Sequence, residues 1–281
     1  MSESGYSSDE DCFFRDELIR LKKSFRVRGL LRKAAHGDIY LANTRDHSKR
    51  EVILKMVKKR KTTTSFLNGR RVPNEAKIHC QAYQADPVGT VAYLDCFERV
   101  ADFVIAMEKP TNSLDLLEFV NEYGQLDIEM AQSITAQLAG SSLLYKQANI
   151  AHCDLKDENV MFNPSTGEIK IIDFGNACHI DQVKADSFAT PAYYSPELKK
   201  LASTDCTAHL PETNVDACTV YKIGCIIFTV LTGSSPFDAT IEFDFQRHIQ
   251  LNGNITKHER TLLSSLLAVD SNSRKPIEQL V

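Results

Sequence analysis

The string His152-Cys153-Asp154-Leu155-Lys156-Asp157-Glu158-Asn159 carries the densest set of groups able to do chemistry in this 281-residue chain. It supplies an acid, a lysine two residues on and an amide five residues after the acid. Fourteen residues beyond the amide comes Asp173-Phe174-Gly175. Phosphoryl transfer needs a base or orienter for the attacking hydroxyl, oxygen ligands for Mg2+ and cations over the phosphates. Asp154, then Asn159 with Asp173, then Lys156 are of the types suited to those tasks, in that order. Singly, an Asp-Phe-Gly is a common turn and a His-x-Asp a capped loop; their combination and spacing point to chemistry.

The elements that must position these groups change in kind along the chain. Strand-like runs cover 25–31, 38–43 and 51–57, the last mostly β-branched or apolar. A helix is expected to open near Pro73-Asn74-Glu75, since proline suits a first turn. Residues 91–98 and 103–109 read as a β-hairpin, and Pro110-Thr111-Asn112-Ser113 breaks the pattern. Beyond the break, 114–123 and 128–149 place apolar residues at three- and four-residue steps, as amphipathic helices do. Short strands are expected at 160–162 and 168–172, and 216–231 is apolar on nearly all sides, as in a buried helix. A small β-rich lobe, a linker near 109–113 and a larger helical lobe follow.

Composition narrows the class. Lys and Arg total 33 against 37 Asp and Glu, a formal net charge of −4, with 43% hydrophobic and 25% charged residues. Such a chain can bury a core without disulfides or metals, and it lacks the basic excess of a nucleic-acid coat protein. None of its eight cysteines forms a C-x-x-C pair, so ordinary thiols in a reducing compartment are expected. The N-terminus is polar and acidic, Ser2 excludes the myristoylation pattern, and the longest apolar run, 223–231, is shorter than the ~20 residues of a membrane span. The expectation is a cytoplasmic protein, with the nucleus also open to it, that binds neither membrane nor nucleic acid directly.

From about Phe25 to the C-terminus the chain resembles the eukaryotic protein kinases. Val52-Ile53-Leu54-Lys55 is similar to their V-A-I-K strand; alternation puts Lys55 on one face with Ile53 and Val57, aimed into a cleft. The resemblance implies an α+β, bilobal protein-kinase-like fold, with residues 1–24 an acidic polar extension and 25–281 the kinase domain (small β-rich lobe about 25–109, larger helical lobe about 112–281). It implies ATP and Mg2+ as cofactors. Glu75 would pair with Lys55 and aim it at the α- and β-phosphates, Leu31, Gly37, Ile39 and Glu108 would complete the ATP site, and Asn159 and Asp173 would hold Mg2+. Asp154 and Lys156 would be the catalytic pair, with Thr190 beside them at the peptide-docking turn; Lys156 and Thr190 favour serine and threonine over tyrosine. Ser195-Pro196-Glu197 resembles the A-P-E element, and Arg274 matches the arginine that locks its glutamate.

Finer strings, among them Phe97-Glu98-Arg99, Glu108-Lys109-Pro110 and Tyr194-Ser195-Pro196-Glu197, look like the PIM serine/threonine kinases. Pro110 removes the linker N–H that most kinases offer to adenine. Asp115, Asp157 and Glu158 match acidic positions of basophilic kinases, implying protein substrates with basic residues N-terminal to the phosphorylated one. A monomer is expected.

Three departures stand out. The phosphate loop, Arg32-Lys33-Ala34-Ala35-His36-Gly37, keeps only Gly37 of a G-x-G-x-x-G pattern. Cys153 replaces the arginine of His-Arg-Asp, removing the usual partner of an activation-loop phosphate, so the loop is expected to be ordered by its own packing and the enzyme constitutively active. Thr219 stands where most kinases have the helix aspartate that braces the catalytic loop. The damaged loop and Cys153 leave a pseudokinase scaffold as the alternative. A small-molecule phosphotransferase would share the His-x-Asp string, but not the Asp173, Glu197 and Arg274 elements.

Overall fold

The computed structural model describes residues 8–33, 37–233, 245, 249 and 254–281. It divides into two compact units, Met1–Tyr83 with Val91–Lys109, and Gln84–Thr90 with Pro110–Val281.

The first unit is built on a five-stranded antiparallel sheet of order β1-β2-β3-β7-β6. Its strands are β1 (Phe25–Arg32), β2 (Ile39–Thr44), β3 (Glu51–Lys58), β6 (Tyr93–Glu98) and β7 (Asp102–Glu108). Alternation in β3 sends Val52 and Leu54 to one face, where they pack with Phe25, Ala42, Phe97, Val104 and Ala106. The other face carries Lys55, opposite Ile39 of β2 and Ile105 of β7. A small hairpin, β4 (Thr64–Leu67) with β5 (Arg70–Pro73), comes before the helix α2 (Asn74–Ala85). Pro73 thus ends a strand, and the helix starts one residue later than proline chemistry suggested.

Residues 8–24, which read as a polar extension, form a helix, α1 (Ser8–Ser24), held on the sheet by charge. Glu17, only 9% exposed, accepts from the Glu98 N–H and from Arg20. Arg20 also pairs with Asp95, donates to the Cys96 carbonyl at 2.7 Å and stacks 4.0 Å from the centre of the Phe97 ring. An acid and an arginine three residues apart give no hydrophobic signal, so this docking is invisible to apolar periodicity.

The second unit is helical around α6 (Glu212–Thr232), with α3 (Leu116–Tyr123), α4 (Ile128–Gln147), α5 (Pro196–Thr204) and α7 (Lys257–Leu266). α6 is long and apolar enough to cross a membrane by composition, yet 78% of that stretch is buried within the protein; it is a core helix. Gly224 lets it approach α7, because a Cβ there would lie 2.8 Å from the Leu267 side chain. Two short ladders carry the chemistry-bearing loops. One joins β8 (Leu114–Asp115), β10 (Val160–Asn163) and β11 (Glu168–Ile171); the other pairs β9 (Ile150–Ala151) with β12 (Cys178–His179).

Arg274 ties the unit together. Its guanidinium, with 1% of the side chain exposed, forks onto Glu197 at 2.6 and 2.7 Å and donates to the carbonyls of Ala217 and Ala268. Burial, the largest single influence, would raise the Glu197 carboxyl; the Arg274 hydrogen bonds and charge, together with bonds from its own backbone N–H and Ser195, outweigh it and hold the group below its ordinary range. The pair's stabilisation is therefore full above the unfolded carboxylate value, about 4.3, and is lost as pH falls through the lower folded value. In Arg274→Met burial is opposed only by the remaining backbone and Ser195 bonds, and protonation relieves the carboxylate's cost. The variant is expected to lose about 2–3 kcal/mol near pH 7, with the deficit shrinking toward pH ~4. Urea melts across that range measure it.

Candidate active site

In the first unit, Lys55 Nζ lies 2.6 Å from Glu75 Oε1, with 13% and 11% of the two side chains exposed. The glutamate comes from the first turn of α2, where a negative charge also suits the helix N-terminus. Ile39 neighbours the lysine across the sheet. Glu108 is pinned to Ala92, accepting its N–H at 3.0 Å through the side chain and donating its own N–H to the Ala92 carbonyl at 2.9 Å. Leu31 is 51% exposed near the end of β1. Gly37 has φ 153°, and a Cβ there would sit 1.6 Å from the Met56 carbonyl oxygen. Strand packing thus already requires glycine at this position. The neighbouring Ala34, Ala35 and His36 of the degraded phosphate loop lie outside the described residues.

The second unit gathers the groups that surround Asp154, itself 5% exposed. The Thr190 hydroxyl donates to Asp154 Oδ1 at 2.5 Å, and Asn159 Nδ2 donates to the Asp154 carbonyl at 2.8 Å and to Oδ2 at 3.3 Å. Lys156 Nζ stands 3.5 Å from Oδ2, 3.4 Å from Glu158 and 3.4 Å from Thr190 Oγ1. Burial disfavours the Lys156 charge, but the two carboxylates outweigh it and raise its pKa. His152 sets the backbone. Burial lowers its pKa and favours the neutral ring, which fits Nε2–H donation to the Ile172 carbonyl (3.1 Å) and Nδ1 acceptance from the Asp154 N–H (3.3 Å).

Asp173 follows directly from that anchored Ile172, whose N–H donates to the Asn159 carbonyl at 3.0 Å. Its backbone is left-handed, φ 63°, and its carboxylate accepts the Gly175 N–H at 3.2 Å. No cluster of three His, Cys, Asp or Glu side chains suited to a metal occurs among the described residues. One carboxylate and one amide oxygen fit a hard cation completed by water and phosphate oxygens, the usual manner of Mg2+.

The acidic residues expected to meet substrate separate. Asp157 is 1% exposed and accepts the Tyr193 hydroxyl at 2.5 Å and the Glu158 N–H at 3.0 Å; burial raises its carboxyl. It anchors the segment around Tyr193 and is not a substrate-facing charge, which corrects the expectation. Spacing along the loop could not show this, because the inward turn is set by a partner 36 residues away. Asp115 caps α3 through the Glu118 N–H at 2.8 Å and stays half-buried, and Glu158 is 40% exposed.

One residue escaped the sequence reading. Thr219 turns back to the Val215 carbonyl of its own helix, so it gives the Asp154 loop nothing in place of an aspartate. Lys222, one turn further, does. It is 2% exposed, donates to the Cys153 carbonyl at 2.9 Å and lies 4.7 Å from the centre of the Phe188 ring. Burial lowers its pKa. The available signal was a lone lysine inside the apolar run of α6, since an ammonium at such a place must find a partner. Lys222→Met strands that carbonyl, and about 1–3 kcal/mol of stability should go with it. Melting curves read this loss, and phosphoryl-transfer kinetics should show kcat falling while the KM for ATP stays near its wild-type value.

With this geometry in place, residues 30–281 match the protein kinase domain family, and the chain belongs to it. It is a serine/threonine protein kinase of that family. It is 26% identical over 269 residues to serine/threonine-protein kinase pim-2 of Danio rerio, covering 92% of this chain and 84% of that one. Serine/threonine-protein kinase prk-2 of Caenorhabditis elegans is 26% identical over 220 residues, 78% of this chain; the chain spans only 47% of that relative's length. Among solved structures, Rad53 (residues 1–466) in complex with AMP-PNP superposes with a TM-score of 0.65 at 19% identity, covering 92% of this chain and 64% of that one, a likeness of fold.

Proposed function

We propose that this kinase is catalytically active, PIM-like in preferring basic protein substrates, and independent of activation-loop phosphorylation. The observation that carries the reading is the Asp154 carboxylate held at once by Thr190, Asn159 and Lys156. Asp154 Oδ atoms would orient the attacking hydroxyl of a serine or threonine and take its proton. Lys156, charged and beside them, would offset the negative charge that builds there. Lys55, fixed by Glu75, would bind the α- and β-phosphates of ATP. Asn159 and Asp173 would hold Mg2+, which when bound neutralises charge on the phosphate oxygens.

Contacts within the segment support independence from a phosphate. Tyr193 is bonded to Asp157, the Tyr194 hydroxyl donates to the Phe188 carbonyl at 2.5 Å, and Thr190 is engaged with Asp154. These three hydroxyls are thus committed to internal bonds. Glu158 and half-buried Asp115 would face arginine or lysine of the substrate through charge-assisted pairs. Seven free cysteines among the described residues suit the cytoplasm, and we place the protein there as a monomer.

The test is the full chain co-expressed with a phosphatase, its unmodified segment confirmed by mass spectrometry, and initial rates of γ-phosphate transfer. Well-folded Lys55→Met, Asp154→Asn and Asp173→Ala should each fall by at least about 10²-fold. Peptides with arginine N-terminal to the acceptor should outpace neutral ones at low salt by about tenfold, less so in Glu158→Gln. A silent wild type would favour the scaffold alternative, and equal peptide rates would remove the basic preference.

A further inference from the structure

Cys153 and Cys178 bring their sulfurs to 3.9 Å of each other within the second unit. The first precedes Asp154, and the second lies five residues after Asp173. Their backbones are already joined, because β9 and β12 pair Ala151 with Cys178 and Ile150 with His179, and the Ile180 N–H donates to the Asn149 carbonyl at 3.2 Å. Cys153 is 5% exposed and fixed through its carbonyl by Lys222, whereas Cys178 is half-buried. A bond between the two sulfurs therefore needs side-chain movement at the solvent-reachable partner and leaves the ladder in place.

We infer that Cys153 and Cys178 form a reversible disulfide under peroxide, tethering the segment after Asp173 to the loop that carries Asp154. The position of Cys153 is the one whose usual arginine ties such a segment to a phosphate, so a covalent link would stand in for an ionic one. The chemistry runs in two steps. The Cys178 thiolate attacks one peroxide oxygen, the O–O bond breaks, and a sulfenic acid and hydroxide result, the hydroxide taking a proton to become water. The Cys153 sulfur then attacks the Cys178 sulfur; the S–S bond forms, the S–O bond breaks, and the departing hydroxide takes the Cys153 proton as a second water. Two thiols are oxidised and one H2O2 is reduced.

The surroundings assign the roles. Either sulfur can donate in the contact between them; with the proton on Cys153, that bond, helped by one from Ser187, favours the Cys178 thiolate against the opposing effect of burial, while Cys153 is pushed up and kept as the resolving thiol. Burial raises the other core thiols, Cys218 to about 12, and Cys96 and Cys225 further. Cys206, exposed on the surface, is the competitor that accessibility alone would select.

The experiment treats the full-length protein with a few equivalents of H2O2, maps peptides without reduction and follows amide hydrogen exchange, so neither readout depends on phosphoryl transfer. A linked peptide pairing residues 153 and 178 is expected, with slower exchange at 178–190, both reversed by dithiothreitol. Cys178→Ser, melting like the wild type, should show neither. Oxidation confined to Cys206, or Cys178 carried to sulfinic acid without a link, would overturn the inference. A linked peptide with unchanged exchange would overturn the tether.

Discussion

A single hydrogen bond inside the helical unit, from the Lys222 ammonium to the Cys153 carbonyl at 2.9 Å, fixes the loop on which the chemistry depends. Cys153 has a left-handed backbone, φ 61°, a conformation that a side-chain-bearing residue keeps only when its surroundings impose it. The next residue is Asp154. Its N–H meets His152 and its carbonyl meets Asn159, so the carboxylate is presented by a backbone held on both sides. A buried ammonium is costly unless bonded, which makes the arrangement all-or-nothing. The same ammonium lies against the Phe188 ring and so fixes part of the segment that carries Thr190.

This chain braces its Asp154 loop with a cation on α6, where the pattern it resembles uses an aspartate. With threonine at 219, the α6 helix has no acceptor for the loop, and the brace has changed sign: a donor at 222 now takes a carbonyl. With cysteine at 153, no ion pair to a phosphate can form there. Order in the segment comes instead from the Tyr193–Asp157 and Tyr194–Phe188 bonds. Asp157, drawn inward for that purpose, is spent on structure. The Arg274–Glu197 fork keeps its familiar form because, with three backbone carbonyls, it gives a deeply buried guanidinium five oxygen contacts at once.

What could be read from the sequence alone was whatever is encoded locally. The period-two pattern of β3 set Lys55 apart from Val52 and Leu54, the apolar run marked α6 as buried, and the spacing of Asp154, Asn159 and Asp173 named the chemistry. The first two rest on neighbours a few residues apart, where backbone geometry converts spacing into direction, and the third on the spacing of residue types within a single short stretch of chain. The tertiary structure decided what depends on partners far along the chain. It docked α1 through Glu17 and Arg20 onto a strand some 80 residues later, turned Asp157 inward to Tyr193, gave Lys222 the task that Thr219 lost, and set two unremarkable thiols side by side. A polar side chain carries no periodic signal; whether it is a surface charge, a brace or a nucleophile follows from the group that desolvates it and the group that bonds it, and only the folded chain brings those together.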